Sequence, residues 1–537
     1  MKKLPIGIQS IKKILDEGKY IYVDKTGFIK RLIDEGAPYF FMSRPRRFGK
    51  SLFLNTLEEI FKGNKEIFKG LEIYDSEYSW EEHPVLHFDF AQIASSAIGE
   101  FNAGLKAELE RMGALYGVSV EGPSVQFQLK VLVEALSKQK RVVVLVDEYD
   151  SAIINNLKNP ELAEKNRDLL KGFFGTLKGL DRYLKFTFVT GVSKFSQVSL
   201  FSGPNNLKDI TMDPRYAAMM GYTEEEIKEL FSKHIQSVVE NRKKRKESSI
   251  TEKSILEEIR IWYNGYRFSR AETCVYNPFS TINYLDEQEA KAYWYSTGTP
   301  SFLIDELKKH SESMVSLDGT TATQEKLMDI SSFSQIDIEA LMYQTGYFTI
   351  KDYNSISKKY SIGLPNEEVR SAFINSLVQN FASITNLRSS QETVKGLEEH
   401  KPSLLFKQIE IGLSSFAYQV FVDAKERTYQ AMLLSMLYGM GFDPLSERTT
   451  NTGRIDVVLE VPKTTYILEL KLNDSAEKAL KQIHEKKYFK PYTHKGKQIV
   501  IIGANFSSEL RNVSQWKGEL LSESGEKIKD ILPEKGN

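Results

Sequence analysis

Tyr39-Phe40-Phe41-Met42, then Arg46-Arg47-Phe48-Gly49-Lys50-Ser51, then the helically spaced run Leu52–Phe61 form the stretch on which the fold reading turns. A strand, a loop and a helix in that order are what a phosphate-binding loop requires. The first backbone N–H groups of the helix have no partner within it and gather anionic oxygens. In that reading Lys50 reaches the β- and γ-phosphates, the Ser51 hydroxyl ligates Mg2+, and the backbone of Arg46–Ser51 cradles the phosphate oxygens. Arg44 stands where the first glycine of Gly-x-x-x-x-Gly-Lys-Ser/Thr belongs. The loop is therefore expected to be tighter or stiffer at that point.

Working outward, Val142-Val143-Val144-Leu145-Val146 ends in Asp147-Glu148. Carboxylates at the end of an apolar strand complete such a site: Asp147 would hold Mg2+ through water, and Glu148 would orient or deprotonate the attacking water. Other apolar runs are Val85–Phe90, Phe186–Thr190 and Asp209–Met212, with helical stretches at Gln126–Lys138 and Asn166–Leu177 between them. Near-continuous apolar strands alternating with helices predict an α/β domain built on a parallel sheet covered on both faces. Thr190 or Ser193, at the end of one run, either senses the γ-phosphate or simply ends a strand. Arg44, Arg46 and Arg47 either neutralise phosphate charge, act across a subunit interface, or lie at the surface.

The composition sets limits. The chain has 537 residues, 41% hydrophobic and 27% charged, which is enough for more than one core. Lys+Arg and Asp+Glu are 72 each, so any nucleic-acid surface must be local and not a global basic field. A single cysteine, Cys274, excludes an intramolecular disulfide and a Cys-cluster zinc site. No run approaches the ~18 apolar residues of a membrane helix, and the first residues do not read as a signal peptide. A cytoplasmic protein without a membrane partner is the expectation, and a homo-oligomer is compatible with it.

Three regions are expected: 1–221 with the phosphate loop, 222–403 as a mostly helical lid and connector, and 404–537. Thr223-Glu224-Glu225-Glu226 opens the second with acids in a first helical turn. Its aromatic clusters are Trp262-Tyr263-Asn264-Gly265-Tyr266 and Tyr293-Trp294-Tyr295, and Arg242–Lys246 is either a solvated helix end or a nucleic-acid contact.

In the third region a helix at Glu426–Leu437 precedes two strands, 455–460 and 465–471, a charged helix, Ala476–Lys490, and a last strand, Gln498–Ile502. Gly453-Arg454-Ile455-Asp456-Val457-Val458 and Tyr466-Ile467-Leu468-Glu469-Leu470-Lys471 lie on the paired strands. Adjacent antiparallel strands would bring Asp456 and Glu469 to one end of the sheet. Two carboxylates suit a hard Mg2+ or Mn2+ ion. Lys471, two residues after Glu469, faces the same way and could position a water or stabilise a phosphate transition state. Glu426 would contact the metal or orient Lys471, and Gln482 would orient water or a phosphate oxygen. Residues 476–497 carry seven lysines and two glutamates, which suits phosphate-backbone contact or a solvated helix equally.

Leu4-Pro5-Ile6-Gly7, Tyr22-Val23-Asp24-Lys25-Thr26, Arg44–Ser51, Asp147-Glu148-Tyr149-Asp150, Trp262–Tyr266 and Val275-Tyr276-Asn277-Pro278 together resemble the bacterial and archaeal AAA-ATPase-like family over roughly residues 4–290. The arginine-rich loop, with Arg in place of the first glycine, is typical of that family. The resemblance implies a P-loop NTPase sheet that binds ATP, commonly joined to a C-terminal nuclease-like domain. Asp24-Lys25-Thr26 would lie near the nucleotide base or serve as a helix cap. Residues 405–505 resemble the PD-(D/E)xK nuclease superfamily, a smaller α/β restriction-endonuclease-like fold. The expected function is an ATPase with a metal-dependent nuclease acting on nucleic acid, DNA foremost, whose cleavage responds to nucleotide state. The rival expectation is a nucleotide-switched scaffold with an inert nuclease-like domain.

Overall fold

Four apolar runs form β1 (Tyr39–Ser43), β2 (Val85–Asp89), β3 (Val142–Asp147) and β4 (Leu184–Gly191). A fifth strand, β5 (Leu207–Asp209), precedes the expected Asp209–Met212, because Asp209 turns the chain by accepting the Thr211 N–H at 3.0 Å, and all five pair in parallel in the order β2-β3-β4-β1-β5. Every residue of β1 and β3 is buried, because helices cover both faces and no solvent-facing row remains. The computed structural model describes residues 1–195, 207–245, 250–296, 318–328, 330, 337–381, 391–414, 421, 424–440, 442, 444–450 and 453–533. They fall into two compact units, the first reaching Val369 and the second running from Arg370.

Local sequence starts the helices. Ser124 and Asn159 each accept a backbone N–H three residues on, and Pro160 sits in the first turn of Pro160–Gly179, where no donor is needed. Thr223 and Glu226 form a capping box that opens Glu224–Leu230. The helices Ser232–Lys244, Glu252–Tyr263 and Pro278–Glu287 follow and share a core that includes Ile227, Phe231, Ile255, Ile259 and Tyr284.

The region read as mostly helical also contains an antiparallel sheet of β6 (Asp318–Ala322), β7 (Thr349–Asn354) and β8 (Lys359–Gly363), in the order β6-β8-β7. β7 and β8 are short and half-polar, and their turn places Lys358 at φ 53°, so neither periodicity nor a glycine marks the hairpin. The basic run ends a helix. Arg242 is buried and bonds Glu258 at 2.8 and 2.7 Å, while Lys243 and Lys244 complete the last turn, where positive charge is favourable. Lys246 lies outside the described residues.

In the second unit β9 (Leu445–Thr450), β10 (Gly453–Glu460), β11 (Thr464–Leu472), β12 (Gln498–Ser507), β13 (Asn512–Leu521) and β14 (Lys527–Ile531) make a mixed sheet in the order β14-β13-β12-β11-β10-β9. Only β11 and β12 pair in parallel, and the helix Ala476–Lys486 connects them. One face packs Val457, Leu468 and Val500 against Tyr429 and Met432 of the helix Glu426–Gly439. The other packs Val458, Ile467 and Ile501 against Leu480 and Ile483. Fully burying each such side chain contributes about 1.5–3 kcal/mol. Gly503 pairs with Glu469, and a Cβ there would sit 2.2 Å from the Ala476 carbonyl, so this glycine lets the helix lie directly on the sheet beside Glu469.

Candidate functional site

The loop between β1 and the helix Lys50–Phe61 turns through two left-handed residues, Arg47 at φ 67° and Gly49 at φ 90°. Arg44 is not among the residues with positive φ, so replacing the first glycine by arginine brings no backbone strain at that position. Lys50 is buried and curls back, donating to the carbonyls of Arg44 and Pro45 at 3.1 Å each. Its ammonium lies 3.9 Å from Glu148 Oε1.

Ser51, at the start of the helix, hydrogen-bonds Asp147 at the end of β3. Burial raises the Asp147 carboxyl above its ordinary range, and the Ser51 bond and the Lys50 charge oppose that. Asp147 also accepts the Glu148 N–H at 2.9 Å, and Glu148 itself holds φ 47°. A non-glycine residue in that region costs energy, and here the turn puts a half-buried carboxylate over the lysine. Hydroxyl, carboxylate, ammonium and the free start of a helix suit a nucleotide phosphate with a hard cation.

The arginines divide. Arg44 is fully buried under the loop, donates to the carbonyls of Ser43 at 2.9 Å and Thr211 at 2.8 Å, and lies 4.2 Å from the Phe268 ring centre. Desolvation pushes its guanidinium down to about 10. Arg46 is half-buried, and the exposed Arg47 lies over Phe279 at 4.9 Å. Phe48 is buried against Tyr266 at 4.8 Å. Thr190 is fully buried and its hydroxyl donates to the Met42 carbonyl at 2.8 Å, a link between β4 and β1. Asp24 accepts from Thr26 N and Oγ1 at 2.9 and 2.7 Å, and Lys25 pairs with Glu226 at 2.5 Å.

Two acids of this region were missed as site residues in the sequence. Asp89 stands opposite Asp147 in the β2–β3 register and raises its carboxyl further; an acid ending an apolar strand was the available signal. Asp150 is fully buried, accepts Val192 N and Ser193 N at 3.0 and 2.6 Å, and is pushed up to about 7, chiefly by burial. It ties the end of β3 to the end of β4.

In the second unit β10 and β11 are antiparallel, with Val457 opposite Leu468. One step further, Asp456 comes beside Glu469, and its Oδ2 accepts the Leu470 N–H at 2.8 Å. Glu469 is 2% exposed. Its Oε1 accepts from Gln482 and lies 3.4 Å from Lys471 Nζ, while its Oε2 is buried with no hydrogen-bond partner among the described residues. Burial first, then the Asp456 charge, push this carboxyl up to about 8, against the pull of Lys471. Glu426 Oε2 accepts the Leu472 N–H at 3.2 Å, and its Oε1 lies 4.0 Å from Lys471 Nζ. Gln430, one turn after Glu426, was missed; it holds the Asp456 carbonyl at 3.0 Å, and the i, i+4 spacing from Glu426 was the signal.

Among the described residues no three His, Cys, Asp or Glu side chains converge as a ready metal cluster. The donor set is nonetheless one that suits a hard cation: a buried carboxyl oxygen without a hydrogen-bond partner among the described residues, a second carboxylate beside it and a lysine at its edge.

Residues 5–201 match the family model described as "Predicted AAA-ATPase", and residues 424–516 match that of the "PD-(D/E)XK nuclease superfamily". A protein of Azotobacter chroococcum mcd 1, described as "Uncharacterized protein in vnfD 5'region", is 35% identical over 526 residues, spanning 95% of this chain and 98% of that protein. The chain belongs to the AAA-ATPase-like proteins that carry a PD-(D/E)XK nuclease superfamily domain. The family matches fall on the two sites just described, one in each unit. No helix among the described residues is long and apolar enough to cross a membrane.

Proposed function

We propose that this protein binds and hydrolyses ATP in its first unit and cleaves nucleic acid, DNA foremost, in its second, with nucleotide state regulating the cut. The observation that carries the reading is the pairing, in one chain, of Lys50–Ser51–Asp147–Glu148 with Asp456–Glu469–Lys471.

In the first site the Lys50 ammonium and the backbone of Arg46–Ser51 hold the phosphates. Ser51 and Asp147 offer oxygens to Mg2+, and Glu148 orients a water and takes its proton. In the second, Asp456 and Glu469 would hold Mg2+ or Mn2+, with Glu426 at the edge. A divalent ion at these carboxylates supplies charge neutralisation and a more acidic water. Lys471 and Gln482 orient water and a phosphate oxygen over Glu469. The rival reading, a nucleotide-switched scaffold, drew on the missing first glycine; the unstrained Arg44 removes that support.

The test is cleavage of single- and double-stranded DNA and of RNA in Mg2+ or Mn2+, with and without ATP, by wild type, Lys50→Ala and Asp456→Ala. Loss of cleavage in Asp456→Ala, and loss of the ATP effect in Lys50→Ala, are expected. Cleavage undiminished in Asp456→Ala overturns the assignment. ATP binding with no cleavage of any substrate returns the scaffold.

A further inference from the structure

The loop is gripped from outside, residue by residue. Arg44 lies 4.2 Å from the Phe268 ring centre, and Arg47 lies 4.9 Å from that of Phe279. Phe48 meets Tyr266 edge-on at 4.8 Å. Pro45 presses on Gly346, where a Cβ would come within 2.6 Å of it. Arg46 is held through its backbone: the Trp294 indole Nε1 donates to its carbonyl at 3.0 Å.

Trp294 is itself fixed. Its ring meets Tyr347 at 5.2 Å, and its backbone N–H donates to Glu368 Oε1 at 2.7 Å, an oxygen that also accepts from Ser280 Oγ at 2.8 Å.

A trans peptide is planar, with its C=O and the following N–H pointing opposite ways. Anchoring the Arg46 carbonyl on the indole therefore aims the Arg47 N–H away from it. A phosphate loop works through N–H groups turned in one direction. We infer that Trp294 is a positioning residue for nucleotide phosphate: its indole N–H sets the Arg46–Arg47 peptide so that the Arg47 N–H faces the phosphates. This rests on the nucleotide reading of the loop. It gives the aromatic cluster Tyr293-Trp294-Tyr295 a task that its sequence does not declare.

Trp294→Phe keeps an aromatic ring against Tyr347 and deletes the donor. Calorimetric titration of the full chain with ATP and with adenosine, in Mg2+, reads the effect. Loss of one such hydrogen bond is expected to raise the ATP Kd by roughly three- to tenfold while leaving adenosine affinity unchanged. A general loosening of the fold weakens both ligands together and overturns the inference. So does a wild-type ATP Kd in Trp294→Phe. Wild-type protein that binds no ATP sinks the nucleotide reading and this inference with it, whereas binding that ignores the substitution sinks this inference alone.

Discussion

Arg44 shows how one side chain can stand where the phosphate-loop motif has its first glycine. Its buried guanidinium occupies the carbonyls of Ser43 and Thr211, so removing it leaves those acceptors unmet. Arg44→Ala should cost about 3 kcal/mol of stability, read as a shift in the urea midpoint of the first unit. Gly346→Ala meets Pro45 and must also hold φ 93°; a loss of about 2 kcal/mol is expected in the same measurement. Glu368 supplies a pH signature. Burial pushes its carboxyl up to about 8, against the Trp294 and Ser280 hydrogen bonds. The fold therefore holds the proton more tightly than the unfolded chain does. That contribution is complete below the ordinary carboxylate range and fades as pH rises through about 8. Glu368→Gln should gain on wild type in melting temperature across this window, and a difference independent of pH would refute the assignment. That Lys50, Ser51, Asp147 and Glu148 come together was legible in the sequence, because a strand-loop-helix and an apolar strand ending in acids imply it. Arg44 and Trp294 were not, because Thr211, Phe268 and Glu368, which define their tasks, are remote in sequence.

At the level of elements, the hairpin β10–β11 was readable from two apolar runs around Val461-Pro462-Lys463, and its pairing puts Asp456 beside Glu469. β9, β13 and β14 were not foreseen. Asn512-Val513-Ser514-Gln515-Trp516-Lys517 mixes polar and apolar residues, and the pairing of β12 with β13 shifts at Asn505/Phe506, which breaks the strict alternation that marks a strand. The helix Ala476–Lys486 stopped short of the expected Lys490 because Lys487 adopts a left-handed cap at φ 51°. Its other end depends on Ser475, which accepts the Lys478 N–H. Ser475→Ala should cost about 1 kcal/mol and loosen Gln482 over Glu469. Faster amide exchange confined to the first turn of that helix, with a modest fall in cleavage rate, is the expected result.

Over the whole molecule, two units with separate cores imply two ligand responses. ATP with Mg2+ should raise the calorimetric transition of the first unit, and Mn2+ alone that of the second, each by the linkage of binding to folding. Lys50→Ala should abolish the first shift and spare the second, and Glu469→Ala the reverse. One ligand moving both transitions in Lys50→Ala would contradict this assignment.

The strand order carries a last consequence, for how the chain is born. β4 lies between β1 and β3, so within the sheet the strand leading to the loop and the strand bearing Asp147 are paired through Leu184–Gly191 and not with each other. A chain leaving the ribosome has spelled out its phosphate loop by Ser51, yet it has no assembled nucleotide site until residue 191 emerges and no completed grip on that loop until Glu368 follows. Nascent chains halted between these points should bind ATP-agarose in a stepwise order set by length, silent before β4 and strongest after Glu368. On the proposed function, nucleotide competence would be a late event in synthesis, and a truncated product would carry the motif without its affinity.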